Sequence, residues 1–159
     1  MERRIADLVE SIAGKARQRG VMLCCAESCT GGWIAKVLTD LAGSSTWFDR
    51  GFVTYSNQAK QEMLGVSADT LNTFGAVSRE TVLAMASGAL THSAAQCSVA
   101  VSGIAGPGGG TPEKPVGTVW IAWGAPAGVD AAHYRFEGDR EAVRCATVLA
   151  AIEGLAARL

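Results

Sequence analysis

Residues 21–33 read VMLCCAESCTGGW, and this stretch decides the fold of the chain. Residues 21–26 form a short apolar run that predicts a buried β-strand. Residues 27–32 interrupt the run with polar residues and two glycines, and residues 33–41 resume it as a predicted helix. A strand that passes through a glycine-flanked turn into a helix is typical of α/β proteins, in which ligands bind at the ends of strands.

The rest of the chain continues this alternation of helices and strands. Apolar residues at helical spacing between Ile5 and Ala16 predict a first helix, which Gly20 can end. Ser78 and Asp139 are predicted N-caps of two later helices, the second reaching about residue 157. The other predicted elements are strands over residues 48–55 and 98–104, a helix over 58–64 capped at Ser56-Asn57, a loop with a short turn over 67–75, and a hairpin of strands over 116–123 and 131–136.

This order of elements predicts one α/β domain over residues 1–159, a three-layer α/β/α sandwich around a mixed, mostly parallel β-sheet. A length of 159 residues is a common size for a single domain. In the second strand of the hairpin, Ala132, Tyr134 and Phe136 alternate with His133 and Arg135, so one side of that strand is expected to face solvent.

Composition and charge exclude several classes of protein. Hydrophobic residues make up 48% of the chain and charged residues 18%, which excludes a disordered chain. A net charge of −1 supplies no field for nucleic acid or an anionic membrane, so neither partner is expected. The N-terminus lacks the apolar segment of a secretory signal, and no run approaches the roughly 20 apolar residues of a membrane span. We therefore expect a cytoplasmic protein.

The two histidines and five cysteines limit the chemistry further. A histidine-dependent triad or a zinc site would need His92 or His133, and both are expected to face solvent. The cysteines are odd in number and three of them lie in apolar, strand-like runs, which favours free thiols in a reducing cytoplasm. No group of four ligands has the spacing of a zinc site, so no metal is expected.

The turn at residues 26–32 is the first candidate site. A helix that begins just after Ser28 presents free backbone N–H groups and the positive end of its dipole, which can hold a phosphate or stabilise an oxyanion. The alternative is an ordinary turn with Ser28 or Thr30 as the N-cap, and the spacing alone favours it. The turn is neither a G-x-S-x-G elbow nor a Walker P-loop, because Ala26 and Thr30 stand at the glycine positions and no lysine follows.

A serine nucleophile needs a base, and lysine can act as one when burial lowers its pKa. Tyr55 and Lys60 flank the end of the predicted second strand, so both side chains reach Ser28 if that strand neighbours the first. Without such a neighbour, a solvated lysine on a helix face is the simpler interpretation of Lys60. Cys29 has no partner histidine and ranks below Ser28 as a nucleophile.

A second candidate segment is SGIAGPGGG, residues 102–110. Its glycine content allows the backbone to approach a ligand closely, and such a loop after a strand can cradle a phosphate or a sugar. A flexible surface loop is the alternative interpretation.

Several segments, spread in order over nearly the whole chain, together resemble the CinA C-terminal domain family. They are AESCTGG at 26–32, GFVTYSN at 51–57 with Lys60, GAVS at 75–78, VSGIAGPGG at 101–109, GTV at 117–119, and GDR at 138–140 with Arg144. The resemblance implies a mixed α/β/α sheet and hydrolysis of the carboxamide of nicotinamide mononucleotide to nicotinate mononucleotide and ammonia. It also implies that no cofactor is needed and that the chain forms a homo-oligomer, expected to be a dimer.

On this resemblance the catalytic residues of the family fall on Ser28, Lys60 and Tyr55. Ser28 is expected to attack the carboxamide carbon, Lys60 to take the proton, and Tyr55 to relay that proton or hold the lysine. Backbone N–H groups over residues 30–32 are expected to stabilise the oxyanion.

The substrate's phosphate is expected to be held by the loop at 102–110 or by Arg140. Two other functions stay open, a non-catalytic nucleotide-binding module and an interaction module linked to competence or DNA damage. The predicted substrate-binding residues are Glu27, Thr30, Gly31, Gly32, Asn57, Ser102, Gly103, Gly106, Gly108 and Arg140.

Overall fold

The computed structural model describes residues 1–159. The protein is organised around one five-stranded β-sheet with the strand order β2-β1-β3-β4-β5. The central strand positions are taken by short apolar segments, as their hydrophobic runs predict. The strands are β1 (Leu23–Glu27), β2 (Phe48–Val53), β3 (Cys97–Gly103), β4 (Thr118–Ala125) and β5 (Gly128–Arg135).

The sheet is mixed, and four of its five strands run in the same direction. Strand β1 pairs in parallel with both β2 and β3, whereas β4 is antiparallel to β3 and to β5. The predicted hairpin is therefore present as β4 and β5. Its second strand alternates as expected, with His133 and Arg135 exposed and Ala132 and Tyr134 half-buried.

Six α-helices cover the two faces of the sheet. Helices α1, α2 and α6 share one apolar core with one face of the sheet, and α3, α4 and α5 share a second core with the other face. Side chains along β1 alternate between the two cores, Leu23 and Cys25 facing one and Cys24 and Ala26 the other. This confirms the predicted three-layer α/β/α sandwich. The helices are α1 (Glu2–Arg19), α2 (Trp33–Thr39), α3 (Asn57–Leu64), α4 (Ala68–Phe74), α5 (Arg79–Thr91) and α6 (Arg140–Arg158).

The predicted helix ends agree with the structure. The hydroxyls of Ser56 and Ser78 accept hydrogen bonds from backbone N–H groups in the first turns of α3 and α5, and the carboxylate of Asp139 does the same for α6. Gly20 ends α1 in the left-handed conformation, with φ 65°. These caps are local contacts, which is why single residue types at the right spacing predict them.

One predicted element is wrong and several strand ends are shifted. Residues 67–75, expected to be a loop with a short turn, contain helix α4, which Ser67 caps and which buries Leu71 alone among its residues. A single buried residue gives no hydrophobic periodicity, so the sequence pattern did not predict this helix. Strand β2 ends at Val53 instead of residue 55, β4 lies two residues later than expected, and β5 starts three residues and ends one residue earlier than expected.

The parallel strands bring three segments to one edge of the sheet. Because β1, β2 and β3 run in the same direction, their carboxyl ends lie side by side, with β1 between its two neighbours. The residues that follow them begin with Ser28, Thr54 and Ile104. Open α/β sheets bind their ligands at such an edge. No helix of the structure combines the length and the apolar character needed to cross a membrane.

Candidate active site

Ser28 is the first residue after β1, at the carboxyl edge of the sheet. Its N–H donates to the carbonyl of Val101 on β3 at 3.1 Å, so the backbone here continues the pairing of the sheet before it turns away. The side chain is 8% exposed, which leaves a small opening to solvent or to a bound molecule. A rigid strand therefore fixes the position of the hydroxyl.

Lys60 lies on helix α3, which follows β2, and its side chain reaches Ser28. Its ammonium nitrogen Nζ lies 3.0 Å from Ser28 Oγ and donates to the carbonyl of Thr54 at 2.9 Å. The residue is 1% exposed, although lysine is among the residues least often buried. The expected neighbour strand is present, and it places Lys60 within hydrogen-bonding distance of Ser28.

Burial changes the protonation of this lysine. Removal from water lowers the pKa of Lys60 below its usual 10.5, because desolvation penalises the charged form. No carboxylate forms an ion pair with Nζ to offset that effect. A neutral amine can donate one N–H to the carbonyl of Thr54 and keep its lone pair for the Ser28 hydroxyl proton, which is the geometry that a general base needs.

Cys29 lies next to Ser28 but is unsuited to nucleophilic attack. Burial raises the pKa of its thiol to about 11, so the thiolate is scarce near neutral pH. All five cysteines are free in the structure.

Glu27, expected to bind substrate, holds the turn together from inside the protein. It is completely buried, and its carboxylate accepts hydrogen bonds from the Thr30 hydroxyl at 2.6 Å and from the N–H groups of Ile34 at 2.8 Å and Ala35 at 3.0 Å. It thus caps α2 at a distance, and neither Ser28 nor Thr30 is the N-cap of that helix. Substrate binding by Glu27 stays a prediction, and the hydrogen bonds of its carboxylate to Thr30, Ile34 and Ala35 are all within the protein.

Arg144 on α6 holds the turn from a second direction, a role that no sequence pattern other than the family resemblance indicates. Its guanidinium donates to the carbonyls of Cys29 at 3.0 Å and Thr30 at 3.1 Å and lies over the ring of Trp33. A trans peptide points its C=O and N–H in opposite directions, so anchoring the Cys29 carbonyl directs the Thr30 N–H away from Arg144. The signal in the sequence is an arginine between Val143 and Cys145, in an otherwise apolar part of the last helix.

The turn also leaves backbone donors free. The N–H of Gly31 donates to the carbonyl of Ser28 and the N–H of Trp33 to that of Thr30, each at 3.1 Å, so these two groups are occupied. The N–H groups of Thr30 and Gly32 have no acceptor within the protein. Unoccupied donors two and four residues beyond a serine are suited to hold an oxyanion.

Tyr55 lies apart from the Ser28–Lys60 pair in its hydrogen bonding. Its side chain is 58% exposed, and its hydroxyl accepts a hydrogen bond from the guanidinium of Arg140 at 2.9 Å. The same guanidinium donates to the carbonyl of Gly106 at 2.7 Å. The tyrosine hydroxyl makes no hydrogen bond to Ser28 or Lys60 in this structure.

The remaining candidates lie around this edge or away from it. Ser102 is buried near the end of β3. Both Ser102 and Ser28 directly follow the paired residues Val101 and Glu27 of the two neighbouring strands. Asn57 and Gly108 are exposed. Two glycines are explained by packing: a Cβ at Gly103 would lie 2.6 Å from the Val119 side chain, and one at Gly106 2.5 Å from that of Val116.

Neither histidine hydrogen-bonds to Ser28. His92 contacts the carbonyl of Gly88, and His133 packs on Trp120.

A serine hydroxyl beside a desolvated lysine, with free backbone donors on the same turn, is an arrangement suited to nucleophilic hydrolysis. Comparison with known proteins agrees with that class. A sequence model described as the CinA C-terminal domain matches residues 5–159. The chain belongs to the CinA C-terminal domain family, as its motifs predict.

Curated relatives are similar over most of the chain. The protein named nicotinamide-nucleotide amidohydrolase PncC of Enterobacter agglomerans is 56% identical over 144 residues, which cover 90% of this chain and 88% of that protein. The protein of the same name from Pseudomonas putida is 50% identical over 151 residues, covering 95% and 94%. Identity at this level makes the chain an amidohydrolase.

A solved structure confirms the fold. The crystal structure of the competence/damage inducible protein CihA from Agrobacterium tumefaciens superimposes with a TM-score of 0.94 at 53% identity, covering 97% of this chain and 94% of that one.

Replacing Glu27 by glutamine tests whether this carboxylate holds the turn. The amide keeps one acceptor oxygen but turns an NH₂ group toward backbone N–H donors, so we expect the free energy of unfolding to fall by about 1.5–3 kcal/mol. Urea denaturation measures the change, with Glu113→Gln as an exposed control that stays within about 0.5 kcal/mol of the wild type. A wild-type stability for Glu27→Gln would contradict the capping role.

Proposed function

We propose that the protein hydrolyses the carboxamide of nicotinamide mononucleotide to nicotinate mononucleotide and ammonia, with Ser28 as nucleophile and Lys60 as general base. The observation that carries the proposal is the 3.0 Å contact between Lys60 Nζ and Ser28 Oγ in a buried setting that lowers the pKa of the amine. The substrate is suggested by the names of the curated relatives, which are nicotinamide-nucleotide amidohydrolases.

The first half of the reaction makes an acyl-enzyme. Ser28 Oγ attacks the carboxamide carbon while its proton moves to the neutral amine of Lys60, giving a tetrahedral intermediate. The Lys60 ammonium then donates a proton to the departing nitrogen, which leaves as ammonia when the C–N bond breaks. The hydrogen bond to the Thr54 carbonyl keeps Nζ in place through both transfers.

The negative charge of the tetrahedral intermediate needs donors that are already in place. The free N–H groups of Thr30 and Gly32 meet that need, and Gly31 has a separate use because its N–H closes the turn on the Ser28 carbonyl. Loss of one such donor typically lowers the rate by about 10²–10³-fold. Glu27 and Arg144 act as positioning residues, since they hold the backbone that carries these donors.

The second half of the reaction releases the acid. Neutral Lys60 takes a proton from water, the hydroxide attacks the ester carbon, and the Lys60 ammonium returns its proton to Ser28 Oγ as the ester bond breaks. One residue thus serves as base and acid in each half. Tyr55 is not assigned a proton relay, because its hydroxyl bonds to Arg140. Ser102, Asn57 and the glycines at 103, 106 and 108 stay proposed substrate contacts.

Ser28→Ala is expected to reduce ammonia release from nicotinamide mononucleotide by roughly 10³-fold or more, because no other nucleophile is activated at this position. The measurement is a coupled ammonia assay, with the fold checked by circular dichroism. Ser45→Ala, at an exposed serine in the short 3-10 helix before β2, is the matched control and should keep full activity. Turnover that survives in Ser28→Ala would exclude the acyl-enzyme.

The pH dependence of kcat/KM should show Lys60 directly. The active enzyme has a neutral lysine, so the rate rises with pH through the pKa of Lys60 and reaches a plateau below pH 10.5, the usual value for lysine. In Lys60→Met the residual rate should lack that rise, whereas Lys36→Met, an exposed lysine paired with Asp40, should keep the wild-type profile. The same rise in Lys60→Met would assign it to another group.

A further inference from the structure

Arg140 connects the two segments that flank the nucleophile. Its guanidinium donates to the hydroxyl of Tyr55, two residues beyond β2, and to the carbonyl of Gly106, three residues beyond β3. Strands β2 and β3 lie on either side of β1, and Ser28 directly follows β1. The arginine therefore bridges the carboxyl edge of the sheet at the strand that carries the nucleophile.

The bridge is made of neutral acceptors only. No carboxylate forms an ion pair with Arg140, although Asp139 and Glu141 are its neighbours in sequence. The carboxylate of Asp139 instead accepts a hydrogen bond from the N–H of Ala142. A guanidinium bonds more strongly to an anion than to a hydroxyl or a carbonyl, and bidentate pairing with phosphate suits its planar fork. The positive charge of Arg140 is therefore not neutralised within the protein, and its guanidinium can bind an anionic ligand.

The two other basic side chains that contact Ser28 or the turn after it are already committed to partners within the protein. Lys60 is buried against Ser28, and Arg144 is held by two carbonyls and the ring of Trp33. Helix stability does not explain an arginine at position 140 either. It is the first residue of α6, where the positive end of the helix dipole disfavours a cation.

We propose that Arg140 recognises the phosphate monoester of the substrate and selects the nucleotide amide over the nucleoside amide. This inference rests on the proposed function, which supplies a substrate with a phosphate. In the free protein the guanidinium is held by Tyr55 and Gly106, and the phosphate oxygens replace one or both of these acceptors on binding. Tyr55 is then a positioning residue that keeps Arg140 extended over the site.

Kinetic selectivity tests the assignment. The wild type, Arg140→Gln and Arg79→Gln are compared for kcat/KM with nicotinamide mononucleotide and with nicotinamide riboside, which lacks the phosphate. Arg79 is the matched control, because it is also exposed, also the first residue of a helix, and makes no side-chain hydrogen bond. Arg140→Gln should lower the ratio of the two kcat/KM values by about 10- to 100-fold, the usual effect of losing a charge-assisted contact. An equal loss on both substrates would overturn the proposal.

Binding of ribose 5-phosphate separates this inference from the amidase reaction. Isothermal calorimetry should show binding to the wild type and to Arg79→Gln, and at least about tenfold weaker binding to Arg140→Gln. This result would support phosphate recognition even if no amide were hydrolysed. Equal binding to all three proteins, or no binding to the wild type, would overturn it whatever the amidase assay shows.

Tyr55→Phe distinguishes positioning from catalysis. Removing the hydroxyl takes away a neutral competitor for the guanidinium and leaves the ring, so kcat should be kept and KM for the mononucleotide should change by no more than a few-fold. A large fall in kcat with unchanged KM would instead make Tyr55 part of the chemistry and contradict its assigned role.

Discussion

The site depends on one unfavourable placement, a lysine amine removed from water beside a serine hydroxyl. Lys60 is buried on α3, which follows β2 in the chain and packs against α5, and that position brings Nζ to 3.0 Å from Ser28 Oγ. Desolvation lowers the pKa of the amine, and the Thr54 carbonyl orients it. Parallel pairing of β1 and β2 makes this possible, because it puts Ser28 and Thr54 at the same edge of the sheet.

Two charged side chains support this arrangement from within the protein. The carboxylate of Glu27 accepts hydrogen bonds from the N–H groups at the start of α2, and the guanidinium of Arg144 donates hydrogen bonds to the carbonyls of the preceding turn. Arg144 thereby anchors the carbonyls of Cys29 and Thr30, and the N–H groups of Thr30 and Gly32 are left unpaired. Donors held in place before substrate arrives need no reorganisation during the reaction.

Local patterns in the sequence predicted most of the fold, and contacts between distant residues explain what they missed. Caps at Ser56, Ser78 and Asp139 involve residues three positions away, so their spacing is informative. The pairing of Ser28 with Lys60 followed from assuming adjacent strands. The bond between Tyr55 and Arg140 joins residues 85 positions apart, and no pattern marks it. Glu27 was expected to bind substrate because it lies in the motif at 26–32, and its hydrogen bonds to Ile34 and Ala35, seven and eight positions away, are not marked by any pattern.

Titration of Lys60 by nuclear magnetic resonance is the most direct test of the account. Lysine labelled with ¹³C at Cε reports the protonation of Nζ, and comparison with Lys60→Met assigns the signal. We expect a pKa clearly below 10.5, with a return toward that value in a variant that exposes the side chain. A Lys60 signal that titrates at or above 10.5 would mean a charged amine beside Ser28, and it would contradict the proposed base.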